Sequence, residues 1–285
     1  MSTQRELGII VYGATGYTGR LVCEYLNNQY GVNGEVSWAM AGRSMEKLQQ
    51  VRDQMGIPAE VTLVVADASQ PSSIEAMVAR TQVVLTTVGP YQLYGTELVR
   101  ACAEAGTDYV DLCGEPGWMH EMINRYGAAA KASGARIVFS CGFDSIPFDL
   151  GVYFLQQTAK DQLGTTMPRV KGRVRAMNGS FSGGTLASFK ATMTAAAKQP
   201  ELVDVLMNPF ALTENVSGPQ QPSGLEPIYE AELNSWSAPF VMATINTKNI
   251  HRSNFLLDHP YGKDFVYDEM LLTGPGEQGE AVAKA

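Results

Sequence analysis

The residues of this chain best spaced for chemistry are three glycines, Gly13, Gly16 and Gly19, set between the apolar run Ile9-Ile10-Val11 and an amphipathic stretch bearing Leu21, Val22, Tyr25 and Leu26. In a strand-turn-helix frame the first glycine permits a sharp reversal, the second lets backbone approach a pyrophosphate, and the third lets the helix pack closely on the strand. The N–H groups of the first helical turn and the positive end of the helix dipole then favour an anion. The spacing is G-x-x-G-x-x-G, one residue wider at the first gap than the usual dinucleotide fingerprint, so turn glycines without a ligand are the competing reading. On the phosphate reading the contacts come from Gly13, Thr15, Gly16, Tyr17, Thr18 and Gly19.

The end of the next apolar run, Val36 to Ala41, selects among dinucleotides. An acid there would bind the ribose hydroxyls of NAD, whereas an arginine pairs with the 2'-phosphate of NADP. The chain has Gly42-Arg43-Ser44 and no acid before Glu46. Arg43 and Ser44 therefore point to NADP, against the alternative of a solvent-facing arginine and a serine that only caps the following helix. Asp67, at the end of Thr62 to Ala66, stands where such folds hold the adenine rim, or is a turn residue. Val88, Gly89 and Pro90 follow a fourth run, Val83 to Val88, on the crevice side of a parallel sheet.

Hydride transfer to or from a nicotinamide needs one further proton donor or acceptor. The candidates are polar residues at strand ends: Tyr91 and Tyr94, Asp111 and Glu115, and Asp144 with Ser145. Tyr91, Glu115 and Asp144 are taken as the candidate catalytic set. Each has a structural alternative: a tyrosine packed at a domain junction, an acid facing solvent, or Asp144 and Ser145 capping the helix that begins near Pro147. A Tyr-x-x-x-Lys pair at these strand ends, a serine-histidine-acid spacing and an H-E-x-x-H motif are all missing. His251 and Arg252 could grip an acidic substrate, but a solvated surface pair is the expected reading.

The elements that must position these residues alternate. Strands at Ile9 to Val11, Val36 to Ala41, Thr62 to Ala66, Val83 to Val88, Tyr109 to Leu112 and Arg136 to Ser140 are separated by helical stretches, among them Ile74 to Arg80 with a Ser72/Glu75 capping box, Thr96 to Ala105, about Met119 to Ala132, and Phe148 to Ala159. Six such strands predict an α/β fold, a doubly wound parallel sheet of Rossmann type over residues 1–160. Ligands of these sheets bind outside the carboxyl ends of the strands. Residues 161–285 read as a second, smaller α+β domain for substrate or dimerisation. Its pieces are a basic strand Val170 to Met177, a glycine-rich helix start at Ser182-Gly183-Gly184-Thr185, a long loop or lid over 213–235, strands at Pro239 to Asn246 and Asp264 to Leu272, and a disordered tail from Gly274.

The chain has 285 residues, 45% hydrophobic, with a formal net charge of −8. That is length enough for two domains, and the acidic balance gives no footprint for nucleic acid. Apolar runs stay short of the roughly 18 residues that span a bilayer, and Met1 to Glu6 shows no leader, so a cytoplasmic protein is expected. Cys23, Cys102, Cys113 and Cys141 lie far apart and only three histidines accompany them, so no metal site or disulfide framework is expected.

The ordered set Val11 to Arg20, Ala41-Gly42-Arg43-Ser44, Thr87-Val88-Gly89-Pro90-Tyr91, Gly106 to Leu112, Gly142 to Pro147 and Ser182 to Thr185 resembles the saccharopine dehydrogenase-like oxidoreductases. Within that family it resembles the branch that includes the mycobacterial trans-acting enoyl reductases and the animal saccharopine dehydrogenase-like oxidoreductase. The resemblance continues through Ala238 to Met242 and Arg252-Ser253. It implies an NADP-binding Rossmann domain with its phosphate turn at Gly13 to Gly19 and its 2'-phosphate site at Arg43 and Ser44. It also implies reduction of a C=C or C=N bond of a small-molecule or acyl substrate, as in lipid synthesis, with a lipid-synthesis partner, a peripheral membrane association or a homodimer as the matching assemblies. Relatives continue beyond the stretch matching Asp264 to Met270, so a short or truncated second domain is expected. The rival expectation is an NADP-binding regulatory or scaffold protein without turnover.

Overall fold

The computed structural model describes residues 5–32, 34–177, 183–214 and 216–285. Ser182, a candidate cap, and Met1 to Gln4 lie outside them. In chain order the elements are β1 (Leu7–Tyr12), α1 (Tyr17–Tyr30), β2 (Trp38–Gly42), α2 (Met45–Gln54), β3 (Thr62–Val65), α3 (Pro71–Val78), β4 (Thr81–Thr86), α4 (Tyr91–Tyr94), α5 (Thr96–Ala105), β5 (Asp108–Val110), α6 (Pro116–Ser133), β6 (Ile137–Val138), α7 (Ile146–Leu163), β7 (Arg169–Val174), α8 (Gly183–Lys198), α9 (Pro200–Met207), β8 (Ile228–Glu230), β9 (Ser235–Pro239), α10 (Ala243–Leu256), β10 (Val266–Gly274) and α11 (Gly276–Lys284). They fall into two compact units, Met1–Cys141 with Gly184–Thr192, and Gly142–Gly183 with Met193–Ala285.

The first unit is built on a parallel sheet of order β3-β2-β1-β4-β5-β6. Strand order reverses between β1 and β4, which places the crevice of a Rossmann sheet at the carboxyl ends of those two strands. β1 can sit centrally because Ile10, Val11 and Tyr12 are all buried, as the continuous apolar run of a strand covered on both faces requires. Val11, Cys23, Leu26, Trp38, Met40, Leu48 and Val51 join β1, β2, α1 and α2 in one core.

The capping box expected at Ser72 and Glu75 does not form. Pro71 takes the first helical position of α3, where its missing N–H costs nothing, and Gln70 is the N-cap. Ser73 Oγ instead donates to the Gln70 carbonyl and accepts the Asp67 N–H. α6 begins at Pro116 for the same reason, three residues ahead of the expected start.

The second unit holds a mixed sheet of order β7-β10-β9-β8, in which β10 runs parallel to β7 and antiparallel to β9. Val152, Val170, Ile250, Tyr261, Phe265 and Tyr267 form its core. Three expectations are corrected here. The strand expected from Pro239 to Asn246 ends at Pro239, and α10 follows, with Asn246, Ile250 and Asn254 buried at helical spacing. The loop expected over 213–235 contains β8, paired with β9. The tail expected to be disordered forms α11: Gly279 sits so close to the Gly274 carbonyl that a Cβ would overlap it, and Ala283 is buried.

Candidate cofactor site at the carboxyl edge of the parallel sheet

The turn after β1 is bound on both sides. The N–H groups of Gly13 and Ala14 donate to the Ala41 carbonyl of β2 at 3.0 and 3.1 Å, and the Thr87 N–H donates to the Tyr12 carbonyl at 2.9 Å. A Cβ on Gly13, whose φ is +94°, would stand 2.8 Å from both Thr87 Oγ1 and Val88 Cγ2. Only glycine fits that backbone and that space. At Gly19 a Cβ would overlap the Gly13 carbonyl, so the third glycine is what lets α1 close on the turn. Gly16 is the N-cap of α1 and brings no side chain to it. The first-turn N–H groups of Tyr17, Thr18 and Gly19 have no intrahelical partner and present the positive end of the dipole. Gly16 and Tyr17 are exposed, and Thr15 and Thr18 are half-buried beside them.

β2 and β3 supply the neighbouring rim. Ser44 Oγ accepts the Lys47 N–H at 3.2 Å, capping α2. Arg43 is exposed and holds no ion pair among the described residues. It faces Asp67 and Tyr12 electrostatically. Asp67 Oδ1 accepts from the Ser69 N–H and hydroxyl at 2.9 and 2.8 Å, bonds that lower its pKa with help from Arg43. The Tyr12 phenol is pushed up to about 12, first by burial and then by Asp67. An exposed guanidinium beside a glycine cradle fits the adenosine phosphates of NADP.

On the β4 side, Val88 and Pro90 are half-buried and Gly89 is exposed. Tyr91 and Glu115 are brought together, and both are buried. Glu115 Oε1 accepts the Tyr91 N–H at 2.9 Å and the Ser188 hydroxyl at 2.6 Å. Oε2 accepts the Gln92 N–H at 2.9 Å and the Gln92 side-chain amide at 3.0 Å. The carboxylate thus binds the start of α4 through three bonds and α8 through a fourth. The Tyr91 hydroxyl donates to the Thr86 carbonyl at 3.4 Å and accepts the Leu112 N–H at 3.3 Å. Burial first, then the charge of Asp111, drives its pKa far above the ordinary value.

Asp111 performs a similar task one strand over. Its Oδ1 accepts the N–H groups of Cys113 and Ser140 at 2.9 and 2.8 Å, and its Oδ2 accepts the Tyr109 hydroxyl at 2.7 Å. Ser140, whose N–H is one of these donors, stands at φ 58°, a left-handed conformation rare for a serine. Burial raises the Asp111 pKa to about 7 against the pull of those three donors.

Asp144 falls in the second unit, exposed, and its carbonyl accepts the Asn246 side-chain amide at 2.8 Å. His251 and Arg252 are not the solvated pair expected. His251 is buried against Phe210, ring centroids 4.4 Å apart, with Nε2 unpartnered, and Arg252 donates to the Leu212 carbonyl at 2.6 Å. Gln92, Ser140 and Ser188 escaped sequence reasoning. For Ser188 the signal was present, since Ser188 and Thr192 are hydroxyls at i, i+4 on one face of α8.

A parallel sheet with a glycine cradle at its switch point defines a dinucleotide-binding protein of Rossmann type. Residues 9–138 match the family described as the saccharopine dehydrogenase NADP binding domain. A Mycobacterium tuberculosis protein provisionally named as a trans-acting enoyl reductase is 44% identical over 282 residues, covering 96% of this chain and 67% of its own length. The trans-acting enoyl reductase of Mycobacterium ulcerans is 41% identical over 283 residues, again 96% of this chain and 67% of its own. The apo saccharopine dehydrogenase (L-Glu forming) of Saccharomyces cerevisiae aligns over 93% of this chain and 55% of its own, with 11% identity and a TM-score of 0.47. The chain belongs to the saccharopine dehydrogenase-like family, in the branch of the trans-acting enoyl reductases. It is an NADP-dependent oxidoreductase.

Proposed function

We propose that this chain reduces the carbon–carbon double bond of an acyl thioester, using NADPH. The observation that carries this reading is identity of 41% and 44% over 96% of the chain to proteins named enoyl reductases. Bound NADPH would supply the hydride, which ends on one carbon of the former double bond while a proton ends on the other, leaving NADP and the saturated thioester.

The residues of the first unit suit that task. The Gly13 to Gly19 turn, with Thr15, Tyr17 and Thr18, takes the pyrophosphate. Arg43 and Ser44 take the 2'-phosphate, and Asp67 borders the adenine. Val88, Gly89 and Pro90 form the wall on the nicotinamide side. Tyr91 and Glu115 act as positioning residues: a phenol bonded on both sides and a carboxylate with four donors hold the wall in place rather than exchange protons. Asp144 belongs to the second unit and is given no role in this site.

NADPH and NADH titrations of the wild type and Arg43→Ala test the cofactor assignments. NADPH affinity falls about tenfold or more in the variant while NADH affinity is unchanged, the loss of a charge-assisted contact. Equal NADPH affinity in the two proteins would refute the 2'-phosphate site. Oxidation of NADPH with enoyl thioesters, and not with imines, supports the reductase reading; the reverse preference overturns it.

A further inference from the structure

Two buried acceptors in the second unit face no donor. Asn246 on α10 and Glu269 on β10 are each 1% exposed. The Asn246 side-chain amide donates to Glu269 Oε1 at 3.0 Å and to the Asp144 carbonyl at 2.8 Å. Both of its hydrogens are thereby engaged, while its own Oδ1 and the second carboxyl oxygen, Glu269 Oε2, have no partner. Turning the amide over would set its oxygen against two acceptors, so these bonds fix its orientation. A buried acceptor left unmet is costly, and here two stand on a pair of side chains already bonded to each other.

No cation answers Glu269 among the described residues. The residue opposite it on β7 is Gly172, where a Cβ would stand 2.5 Å from the Tyr267 hydroxyl and 2.9 Å from Glu269 Cγ. Lys171 and Arg173, to either side of Gly172, belong to the other face of the sheet, where both pair with Glu230 and Arg173 also with Asp268. The neighbouring part of β9, Ala238 and Pro239, is uncharged. On α10, Lys248 and Arg252 donate to main-chain carbonyls and His251 lies against Phe210. α11 brings Glu277 and the Glu280–Lys284 pair. On α7, Asp149 acts on Tyr267 and accepts the Ser253 hydroxyl. Burial pushes the Glu269 pKa up to about 8 against the pull of the Asn246 and Tyr267 hydrogen bonds, and the charge of Asp268 adds to the rise.

We propose that Glu269 carries a proton on Oε2 directed at Asn246 Oδ1, closing a neutral acid–amide ring, and that loss of this proton releases the turn Gly142 to Ser145. One hydrogen atom then satisfies both orphaned acceptors. The remaining Asn246 N–H is the tether to the turn, which is closed by the Ser145 and Ile146 N–H groups donating to the Gly142 carbonyl at 3.1 and 2.9 Å. Ser145 is buried, whereas Phe143 is 85% exposed. Once Glu269 ionises, Oε2 and Oδ1 are both acceptors, and the amide relieves the clash only by rotating, which withdraws its N–H from Asp144. This goes beyond the reductase reading and does not depend on it.

The first measurement uses wild-type protein labelled with 13C at its glutamate carboxyls. One glutamate is expected to keep its proton at about pH 6 and to titrate only near pH 8, and Glu269→Gln removes that signal. The variant preserves the ring, since its amide offers an N–H to Asn246 Oδ1 and an oxygen to the Asn246 amide, yet cannot titrate. Between about pH 4.3, the unfolded value, and about 8 only the folded wild type holds the proton. Its unfolding constant relative to the variant therefore rises by up to about tenfold per pH unit in that window and levels off above it. Hydrogen-exchange protection of the Ser145 and Ile146 amides falls about tenfold or more in the wild type between about pH 7 and 9.5, and holds in the variant. No glutamate protonated at about pH 6 overturns the ring, since a water or a cation must then fill the two acceptors; this needs the wild type alone and decides even where the variant fails to fold. A wild-type-to-variant difference in stability that is flat with pH overturns it as well. Turn protection that falls alike in both proteins, or in neither, overturns the release.

Discussion

The Glu115 carboxylate accepts the Tyr91 backbone N–H at 2.9 Å, joining residues 24 positions apart across the ends of two neighbouring strands. Removal of the acceptor leaves the buried Tyr91 N–H, the half-buried Gln92 N–H and the half-buried Ser188 hydroxyl without their partner. Glu115→Ala is therefore expected to lower stability by about 3 kcal/mol or more, read as a lower urea midpoint. NADPH affinity falls with it, because the Val88 to Pro90 wall loosens. Wild-type stability combined with lost turnover would instead make Glu115 a proton-transfer group.

The three glycines separate into folding and binding roles. Gly19→Ala forces a Cβ into the Gly13 carbonyl and is expected to destabilise the first unit by roughly 1–3 kcal/mol or more. At Gly16 a Cβ would stand 3.3 Å from the same carbonyl, and the residue is exposed. Gly16→Ala is expected to keep most of the stability and to lose NADPH affinity. Thermal melts paired with cofactor titration check both; a stable Gly19→Ala would sink the packing account.

Asp111 predicts a pH dependence with a definite sign. Its pKa is raised to about 7 in the folded chain, mainly by burial, from about 3.9 in the unfolded one. The folded state thus binds the extra proton between these values, and its contribution to stability, full below about pH 4, is lost as pH rises towards about 7. Asp111→Asn keeps an acceptor for the Cys113 and Ser140 N–H groups and cannot titrate. Its stability relative to wild type is expected to rise over that window by up to a few kcal/mol, at about 1.4 kcal/mol per pKa unit. A difference that stays constant from pH 4 to 7 would show that Asp111 is ionised throughout.

His251 carries the opposite sign. Burial first, then the positive charge of Lys248, lowers its pKa to about 4 from about 6.5 unfolded. Stability is lost as pH falls from about 6.5 towards about 4, since only the unfolded chain takes up the proton there. With Nε2 unpartnered and the rings of Phe210 and Phe265 in contact with the imidazole, His251→Phe is expected to fill the site and to flatten this acid limb. Urea unfolding of both proteins at pH 5 and pH 7 measures it; equal pH slopes would contradict a neutral buried imidazole.

Much of the parallel sheet could be read from sequence because a strand covered on both faces is written as a continuous apolar run, and Ile9 to Val11 and Trp38 to Ala41 are such runs. Gly13, Gly16 and Gly19 were legible for a related reason: few backbones need that spacing. What escaped has a common cause in tertiary context. Pro239 to Asn246 is apolar enough for a strand, and its helical character shows only where Asn246 and Asn254 are buried as polar residues on the inner face of α10. Gly274 to Ala285 is polar and glycine-rich, and it folds because Gly279 permits a close approach that its composition does not announce. Burial of Glu115 and Asp111 was equally hidden, since an acid after a strand reads as solvent-facing until its donors from remote segments are seen.

The segment Gly184–Thr192 groups with Met1–Cys141, while the residues before and after it in the chain group with the other unit. Neither unit can therefore be excised as one uninterrupted piece. A protein cut after Cys141 would carry the glycine turn and Arg43 intact but would strand Glu115 without the hydroxyl of Ser188. Modularity, so often assumed when a dinucleotide domain is borrowed for engineering, ends in this chain at the hydroxyls of Ser188 and Thr192.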